Sequence, residues 1–168
     1  SMLNSAGSSW TLIVSVPPGC TKSLTVCVFW PAWVWTSRPH VRWLFAANEE
    51  SLVIRDAVAC RRLIDSDWYK ENWGAVFSLT SDQNVKSWYE NSARGWRTST
   101  TVGSKTTGKK GDILVIDDPH DARKVESEAD RHGVHEWYDQ AFHNRVNDFK
   151  IGARVLIGQR THEDDLTG

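Results

Sequence analysis

The sequence predicts an α/β domain built on a largely parallel β-sheet with helices on both faces. Two observations lead to this prediction. Apolar, β-branched runs typical of buried strands alternate with segments of helical periodicity, and polar residues follow directly where several of those runs end. The chain has 168 residues, of which 40% are hydrophobic and 24% are charged, which suits one domain over residues 1–168.

The amino-terminal part is predicted to form a strand, a turn and a helix. Residues 10–16 (WTLIVSV) are apolar and β-branched, as expected of a buried strand. After a Pro-Pro-Gly turn, the apolar run over residues 24–35 is predicted to be a buried helix that Pro31 kinks or ends. At about 12 residues the run is well short of the roughly 20 that span a bilayer, so no membrane segment is expected.

The remaining elements continue the alternation of strands and helices. Asn48 is expected to cap the second helix. Residues 95–102 show the Thr-rich alternation of an exposed strand. The further predicted strands are residues 41–47, 75–80, 95–102, 113–116 and 153–159, the helices are residues 49–65 and 126–146, and a basic, polar loop covers residues 103–112.

Charge and cysteine content exclude little and favour a reducing compartment. The formal net charge of -1 gives no overall basic field of the kind that marks many nucleic-acid binders, although a local patch is not excluded. Cys20, Cys27 and Cys60 show no C-x-x-C spacing, which argues against a disulfide framework or a thiolate zinc site. A cytosolic protein fits best.

Polar residues gather where the predicted strands end. Lys22 and Ser23 follow the first strand, Asp117 and Asp118 follow the strand at residues 113–116, and Gln159 ends the last strand. Ligands of open parallel sheets bind at the carboxyl ends of the strands, so this distribution predicts a nucleoside triphosphate site. Lys22 would neutralise phosphate charge, Ser23 and Asp117 would hold Mg²⁺, and Asp118 would activate the attacking water.

The phosphate-loop pattern G-x-x-x-x-G-K-[ST] is not met in full. Val16 and Thr21 stand where its two glycines belong. Taken singly, a Lys-Ser pair after glycine and an Asp-Asp-Pro sequence after a strand are both common as solvated turns. The prediction of a nucleotide site therefore depends on the Lys-Ser pair and the Asp-Asp-Pro sequence occurring together, each at the end of its own strand.

Longer motifs resemble the ATPase domain of the large terminase subunit of tailed double-stranded-DNA phages. The resemblance covers nearly the whole chain and is carried by PPGCTKSLTVCVFWPAWVW, TTGKKGDILVIDDPHDARKVESE and VLIGQRTHEDDLTG. It implies a three-layer αβα P-loop NTPase of the additional-strand class. In that class the last strand lies between the strands that carry the Walker A and Walker B motifs.

The resemblance also implies roles for individual residues, with ATP and Mg²⁺ as cofactors. Asp117 matches the Walker B aspartate, Asp118 the catalytic carboxylate, and Gln159 a residue that senses the γ-phosphate and couples hydrolysis to movement. Arg97, Lys109 and Lys110 lie where the family places basic residues that face a neighbouring subunit or the nucleotide. The implied nucleotide-binding loop comprises Pro18, Gly19, Cys20, Thr21, Lys22 and Ser23.

For the whole motor, the family implies packaging of double-stranded DNA in the host cell cytoplasm, with a portal protein and a small terminase subunit as partners. The motor would be a ring, whereas this chain is expected to be a truncated domain, monomeric and weakly active alone. No DNA-cutting activity is expected, because the dense carboxylates are already assigned to ATP and Mg²⁺. The alternatives are a degenerate, non-hydrolysing P-loop module and a helicase-type ATPase.

Overall fold

A seven-stranded sheet organises the protein in a computed structural model that describes residues 10–17, 19–105 and 108–167, with only the backbone of residues 82–84. The strands are β1 (Trp10–Ser15), β2 (Trp43–Ala47), β3 (Leu79–Val85), β4 (Trp88–Asn91), β5 (Trp96–Thr101), β6 (Ile113–Asp117) and β7 (Ala153–Gly158). Their order across the sheet is β1-β7-β6-β2-β5-β4-β3. The first five strands in this order (β1, β7, β6, β2 and β5) are parallel to one another. Strand β4 pairs antiparallel with both β5 and β3.

The helices are α1 (Trp30–Trp35), α2 (Glu50–Asp65), α3 (Asp67–Trp73) and α4 (Glu128–Trp137). A π-helical segment, Leu24–Phe29, runs directly into α1, and a second one, Tyr138–Phe142, follows α4. Ser66 and Ser127 cap α3 and α4 by accepting hydrogen bonds from backbone N–H groups of the first turns. Within the described residues, each helix is too short or too polar to span a lipid bilayer.

Two apolar cores, one on each face of the sheet, establish three layers. Side chains alternate along β2, so Trp43 and Phe45 pack against α1 and α2, whereas Leu44 and Ala46 pack towards α4 and the segment after it. The αβα architecture predicted from the sequence is therefore confirmed. The last strand, β7, lies between β1 and β6, as the resemblance implied.

Parallel register brings the ends of the central strands to one edge. Asp117, the last residue of β6, lies opposite Ala47 of β2 and Ile157 of β7, and Ser15 of β1 lies opposite Gly158. Residues that follow β1, β6 and β7 consequently meet at the carboxyl edge of the sheet.

Two strand predictions are wrong in burial. β1 was expected to be buried, but it is an edge strand with one neighbour, so Trp10, Leu12 and Ile13 are each at least half exposed. The Thr-rich β5 was expected to be exposed, but it lies between β2 and β4 and its Thr98 and Ser99 are buried. Hydrophobic periodicity in the sequence indicates which face of a strand is apolar, but it does not indicate how many neighbouring strands that strand has.

Two local predictions also need correction. Asn48 does not cap α2, because the cap position is Glu49 and the Asn48 amide instead donates to the carbonyl of His120 at 3.2 Å. The strand predicted over residues 75–80 begins only at Leu79, and the short strand β4 was not predicted.

Candidate functional site

The turn after β1 contains backbone conformations that side chains rarely adopt. Gly19 has φ +82° and Thr21 has φ +52°. This left-handed region is open to glycine but costs other residues about 1–2 kcal/mol, and β-branched residues are the least suited to it. Thr21, which stands at the position of the glycine that precedes lysine in the phosphate-loop pattern, therefore has a backbone conformation that favours glycine. Pro18, predicted to belong to this loop, lies outside the described residues.

Helical backbone begins at Lys22, directly after the turn. The N–H of Thr25 donates to the carbonyl of Thr21 at 2.9 Å, which ties the turn to the first helical residues. The N–H of Val16 donates to the carbonyl of Gly158 at 3.0 Å, so the start of the turn is held beside the end of β7. Cys20 is exposed within the turn.

Lys22 faces the two aspartates at the end of β6. Its ammonium group forms an ion pair with the Asp118 carboxylate, and Nζ lies 3.7 Å from Asp117 Oδ1. The Lys22 and Asp117 side chains are 12% and 11% exposed, whereas Asp118 is 32% exposed. The structure thus brings together the lysine and both carboxylates predicted from the strand ends.

Asp118 is held in place by β7. Its φ of +45° turns the chain sharply after β6, and its N–H donates to the carbonyl of Ile157 at 2.9 Å. The N–H of Gln159 donates to Asp118 Oδ1 at 3.3 Å. A Cβ atom at Gly158 would lie 3.2 Å from the same oxygen, so glycine leaves room for the carboxylate. Gln159 contacts the site through its backbone.

Asp117 is more buried than Asp118 and lies near a second buried carboxylate, that of Asp56. Burial raises the pKa of its carboxyl group, against the lowering effects of a hydrogen bond from Ser23 and of the Lys22 charge. The Cys27 thiol lies 3.9 Å from Asp117 Oδ2, and a ligand atom of Asp56 lies within 4.8 Å of both groups. Burial raises the pKa of Cys27 well above its ordinary value, so the thiol stays protonated.

The donors at this position suit a hard divalent cation. Ser23 and Asp117 offer oxygen atoms, and Asp117 Oδ1 is buried without a hydrogen-bond partner among the described residues. Oxygen ligands in this number match the preference of Mg²⁺, which binds one or two carboxylates together with substrate phosphates. The residues present therefore fit the ion that the resemblance implied.

Asp56 was missed by sequence reasoning, although a signal was present. The buried residues of α2 follow helical spacing and comprise Val53, Asp56, Ala57, Cys60 and Ile64. A carboxylate on the apolar stripe of an amphipathic helix is unusual, because buried carboxylates require partners. Its spacing alone could have placed Asp56 towards the core.

The three basic residues predicted to face a neighbouring subunit or the nucleotide differ in position. Arg97 is 1% exposed within the core, so its side chain does not face a neighbouring subunit in this conformation. Lys109 donates to the carbonyl of Ser99 at 2.6 Å on β5, and burial lowers its pKa. Lys110 is exposed. Of the three, only Lys110 keeps a side chain open to a partner in this conformation.

A tightly bonded loop follows β7 and contacts the segment after Asp118. The Asp165 carboxylate accepts hydrogen bonds from the backbone N–H groups of Thr161 and Thr167, each at 3.0 Å. The N–H of Leu166 donates to His120 Nε2 at 2.8 Å. This bond requires an unprotonated Nε2, and burial lowers the pKa of His120, which favours that state.

Comparison with known proteins supports the fold. No protein-family model and no curated protein matches the chain. Among solved structures, the large terminase of a thermophilic bacteriophage shares 9% sequence identity, with 90% of this chain and 34% of that chain covered and a TM-score of 0.48. The large terminase ATPase domain of Thermus phage P74-26, solved as a mutant, shares 11%, with 94% and 62% covered and a TM-score of 0.52.

The second likeness shows that this chain has the fold of a large terminase ATPase domain, which confirms the predicted P-loop NTPase architecture. At 11% identity this likeness is one of fold alone. The chain spans about a third of the first solved chain and somewhat less than two thirds of the second.

Proposed function

We propose that this chain is an ATP-hydrolysing domain of a terminase-type motor that moves double-stranded DNA into a procapsid. The observation that carries the ATPase part is the meeting of Lys22, Asp117 and Asp118 beside a turn in which Thr21 adopts a glycine-like conformation. The DNA-packaging part rests on the motifs and on the terminase-type fold.

The phosphate site would form around the start of the first helix. Backbone N–H groups at a helix start are unpaired and favour an anion, and Lys22 adds a positive charge at the same point. A γ-phosphate near Lys22 would compete with Asp118 for the ammonium group. Binding of ATP therefore separates Lys22 from Asp118 and leaves that carboxylate free.

The freed Asp118 carboxylate would orient and deprotonate the attacking water. In this step the water oxygen bonds to the γ-phosphorus, the bond to the β–γ bridging oxygen breaks, and Asp118 takes the proton. Ser23 and Asp117 would hold Mg²⁺, which would neutralise phosphate charge when bound. The N–H of Gln159 donates to Asp118, so a movement of Asp118 on loss of the γ-phosphate would be transmitted to the loop after β7.

A non-hydrolysing nucleotide-binding module is the second candidate, and one observation favours it. Lys22 is already neutralised by Asp118, and Thr21 in place of glycine strains the loop, so phosphate affinity and turnover could both be reduced. The two candidates differ in turnover and share nucleotide binding.

The test is ATP turnover with and without double-stranded DNA, at protein concentrations high enough for self-association. The motor proposal predicts Mg²⁺-dependent hydrolysis that DNA stimulates and that Asp118→Asn slows by about 10² to 10⁴. Binding of Mg²⁺–ATP with no turnover under any of these conditions would select the non-hydrolysing module. Absence of both binding and turnover would refute both candidates. Portal protein and small terminase subunit are the partners to add next, since the family resemblance proposes them.

A further inference from the structure

Arg97 on β5 is a buried cation without an acidic partner. It is 1% exposed, and its guanidinium lies 3.8 Å from the centre of the Phe45 ring. In the part of the chain that the structure describes, no carboxylate comes within ion-pairing distance of it. Burial of an unpaired guanidinium costs several kcal/mol, so its position calls for a compensating role.

The hydrogen bond of Arg97 points to that role. Its NH1 group donates to the backbone carbonyl of Cys27 at 2.5 Å. In an α-helix that carbonyl accepts from the N–H four residues later, and position 31 is a buried proline, which has no N–H. Arg97 therefore donates from β5 to a carbonyl for which position 31, a proline, offers no N–H in α-helical register.

The helix at this point has an irregular hydrogen-bond pattern. Residues Leu24–Phe29 are π-helical, and the N–H of Trp30 donates to the carbonyl of Thr25, five residues back. Such segments are rare and are found frequently at functional sites. This one lies between Lys22–Ser23 and Pro31, so it connects the phosphate-binding turn to the core.

We propose that Arg97 is a positioning residue for the phosphate-binding turn. By donating to the Cys27 carbonyl it fixes the π-helical segment, and the segment in turn fixes Lys22 and Ser23 opposite Asp117 and Asp118. Arg97 thus acts within its own chain on the first helix and not on a neighbouring subunit. The consequence for nucleotide binding rests on the proposed function, whereas the consequence for the turn does not.

The experiment compares wild type, Arg97→Met and Pro31→Ala with two double variants. These combine Arg97→Met with either Pro31→Ala or the control substitution Pro39→Ala. Alanine at position 31 restores the backbone N–H and can bond the Cys27 carbonyl in α-helical register. The first measurement is hydrogen exchange of the Thr25 amide, which is bonded to the Thr21 carbonyl and reports attachment of the turn. The second is affinity for a fluorescent ATP analogue with Mg²⁺.

Arg97→Met is expected to accelerate exchange at Thr25 about tenfold and to weaken binding of the analogue by a similar factor, as for the loss of one buried charge-assisted hydrogen bond. Pro31→Ala in the same chain is expected to return both values to within about threefold of wild type. Pro39→Ala is the matched control, because Pro39 lies outside the helix and its replacement supplies no donor to Cys27. It should rescue neither value.

Unchanged exchange at Thr25 in Arg97→Met, or equal failure of Pro31→Ala and Pro39→Ala to rescue it, would overturn the proposal. If Arg97→Met does not fold, thermal unfolding of the double variants decides: folding restored by Pro31→Ala and not by Pro39→Ala supports the proposal, and restoration by neither overturns it. If wild type binds no nucleotide, the proposed function fails, while the exchange measurement still tests the role of Arg97.

Discussion

Lys22 and Asp118, 96 residues apart in the chain, form an ion pair at the carboxyl edge of the sheet. The pair exists because β1 and β6 flank β7 in parallel register, and it predicts competition between the carboxylate and a phosphate. Asp118→Asn should therefore bind the ATP analogue at least as tightly as wild type. Single-turnover hydrolysis should fall by about 10² to 10⁴, the usual contribution of a general base. Weakened binding of the analogue with unchanged turnover would show that the role proposed for Asp118 is wrong.

Asp117→Asn should have the opposite profile. Asp117 is the more buried carboxylate and accepts a hydrogen bond from Ser23, as expected of a group that holds Mg²⁺. The variant should lose at least about tenfold in Mg²⁺-dependent affinity for the analogue, and little in affinity measured with EDTA. Identical behaviour of the Asp117 and Asp118 variants in both assays would contradict the division of roles.

Thr21→Gly should stabilise the protein. Relief of the left-handed conformation at φ +52° contributes about 1–2 kcal/mol, and the greater backbone freedom of unfolded glycine offsets about 0.5–1 kcal/mol of it. Urea denaturation should show a net gain of about 0.5–1 kcal/mol. Thr25→Gly, in the following helical segment, is the matched control and should instead destabilise by about 0.3 kcal/mol. A loss at both positions would mean that the Thr21 conformation is not strained.

Asp165→Asn should loosen the loop after β7. Burial alone would raise the pKa of Asp165, but its hydrogen bonds from Thr167, Thr161 and His162 lower it to about 2. Because the folded-state pKa lies below the ordinary value of 3.8, the stabilisation is present above pH 4 and is lost as the pH falls towards 2. The variant should lose about 2 kcal/mol of unfolding free energy at pH 7.

The difference between Asp165→Asn and wild type should shrink in urea denaturation as the pH is lowered from 4 to 3. The exposed neighbour Asp164 provides the control, and Asp164→Asn should change stability by less than about 0.5 kcal/mol. A constant difference across this pH range would show that the Asp165 charge does not stabilise the loop.

The centre of the candidate site was predictable from the sequence because parallel strands end at one edge. Lys22, Asp117 and Asp118 each follow an apolar run, and that placement suffices to bring them together once the runs are parallel strands. The difference in burial between Asp117 and Asp118 was also predictable, since the residue at the end of a strand is more buried than the one beyond it. The order of strands, in contrast, came from the family resemblance.

The remaining features depend on tertiary neighbours that no local pattern reports. Arg97 lies in a polar, Thr-rich strand, yet β5 is covered by β2, β4 and α2, so the arginine is buried. β1 has the apolar pattern of an interior strand, yet it has a single partner. Arg97 donates to the Cys27 carbonyl, 70 residues away in the chain, and only the fold brings the two groups together.

Binding of a fluorescent ATP analogue to wild type, Lys22→Ala and Lys86→Ala, with Mg²⁺ present, tests the central claim most directly. Lys22 faces Asp117 and Asp118, whereas Lys86 is an exposed lysine in the turn between β3 and β4 and carries the same charge. A phosphate site predicts at least about tenfold weaker binding for Lys22→Ala and no change for Lys86→Ala. Equal affinity of all three proteins for the analogue would contradict the assignment of this edge of the sheet as a nucleotide site.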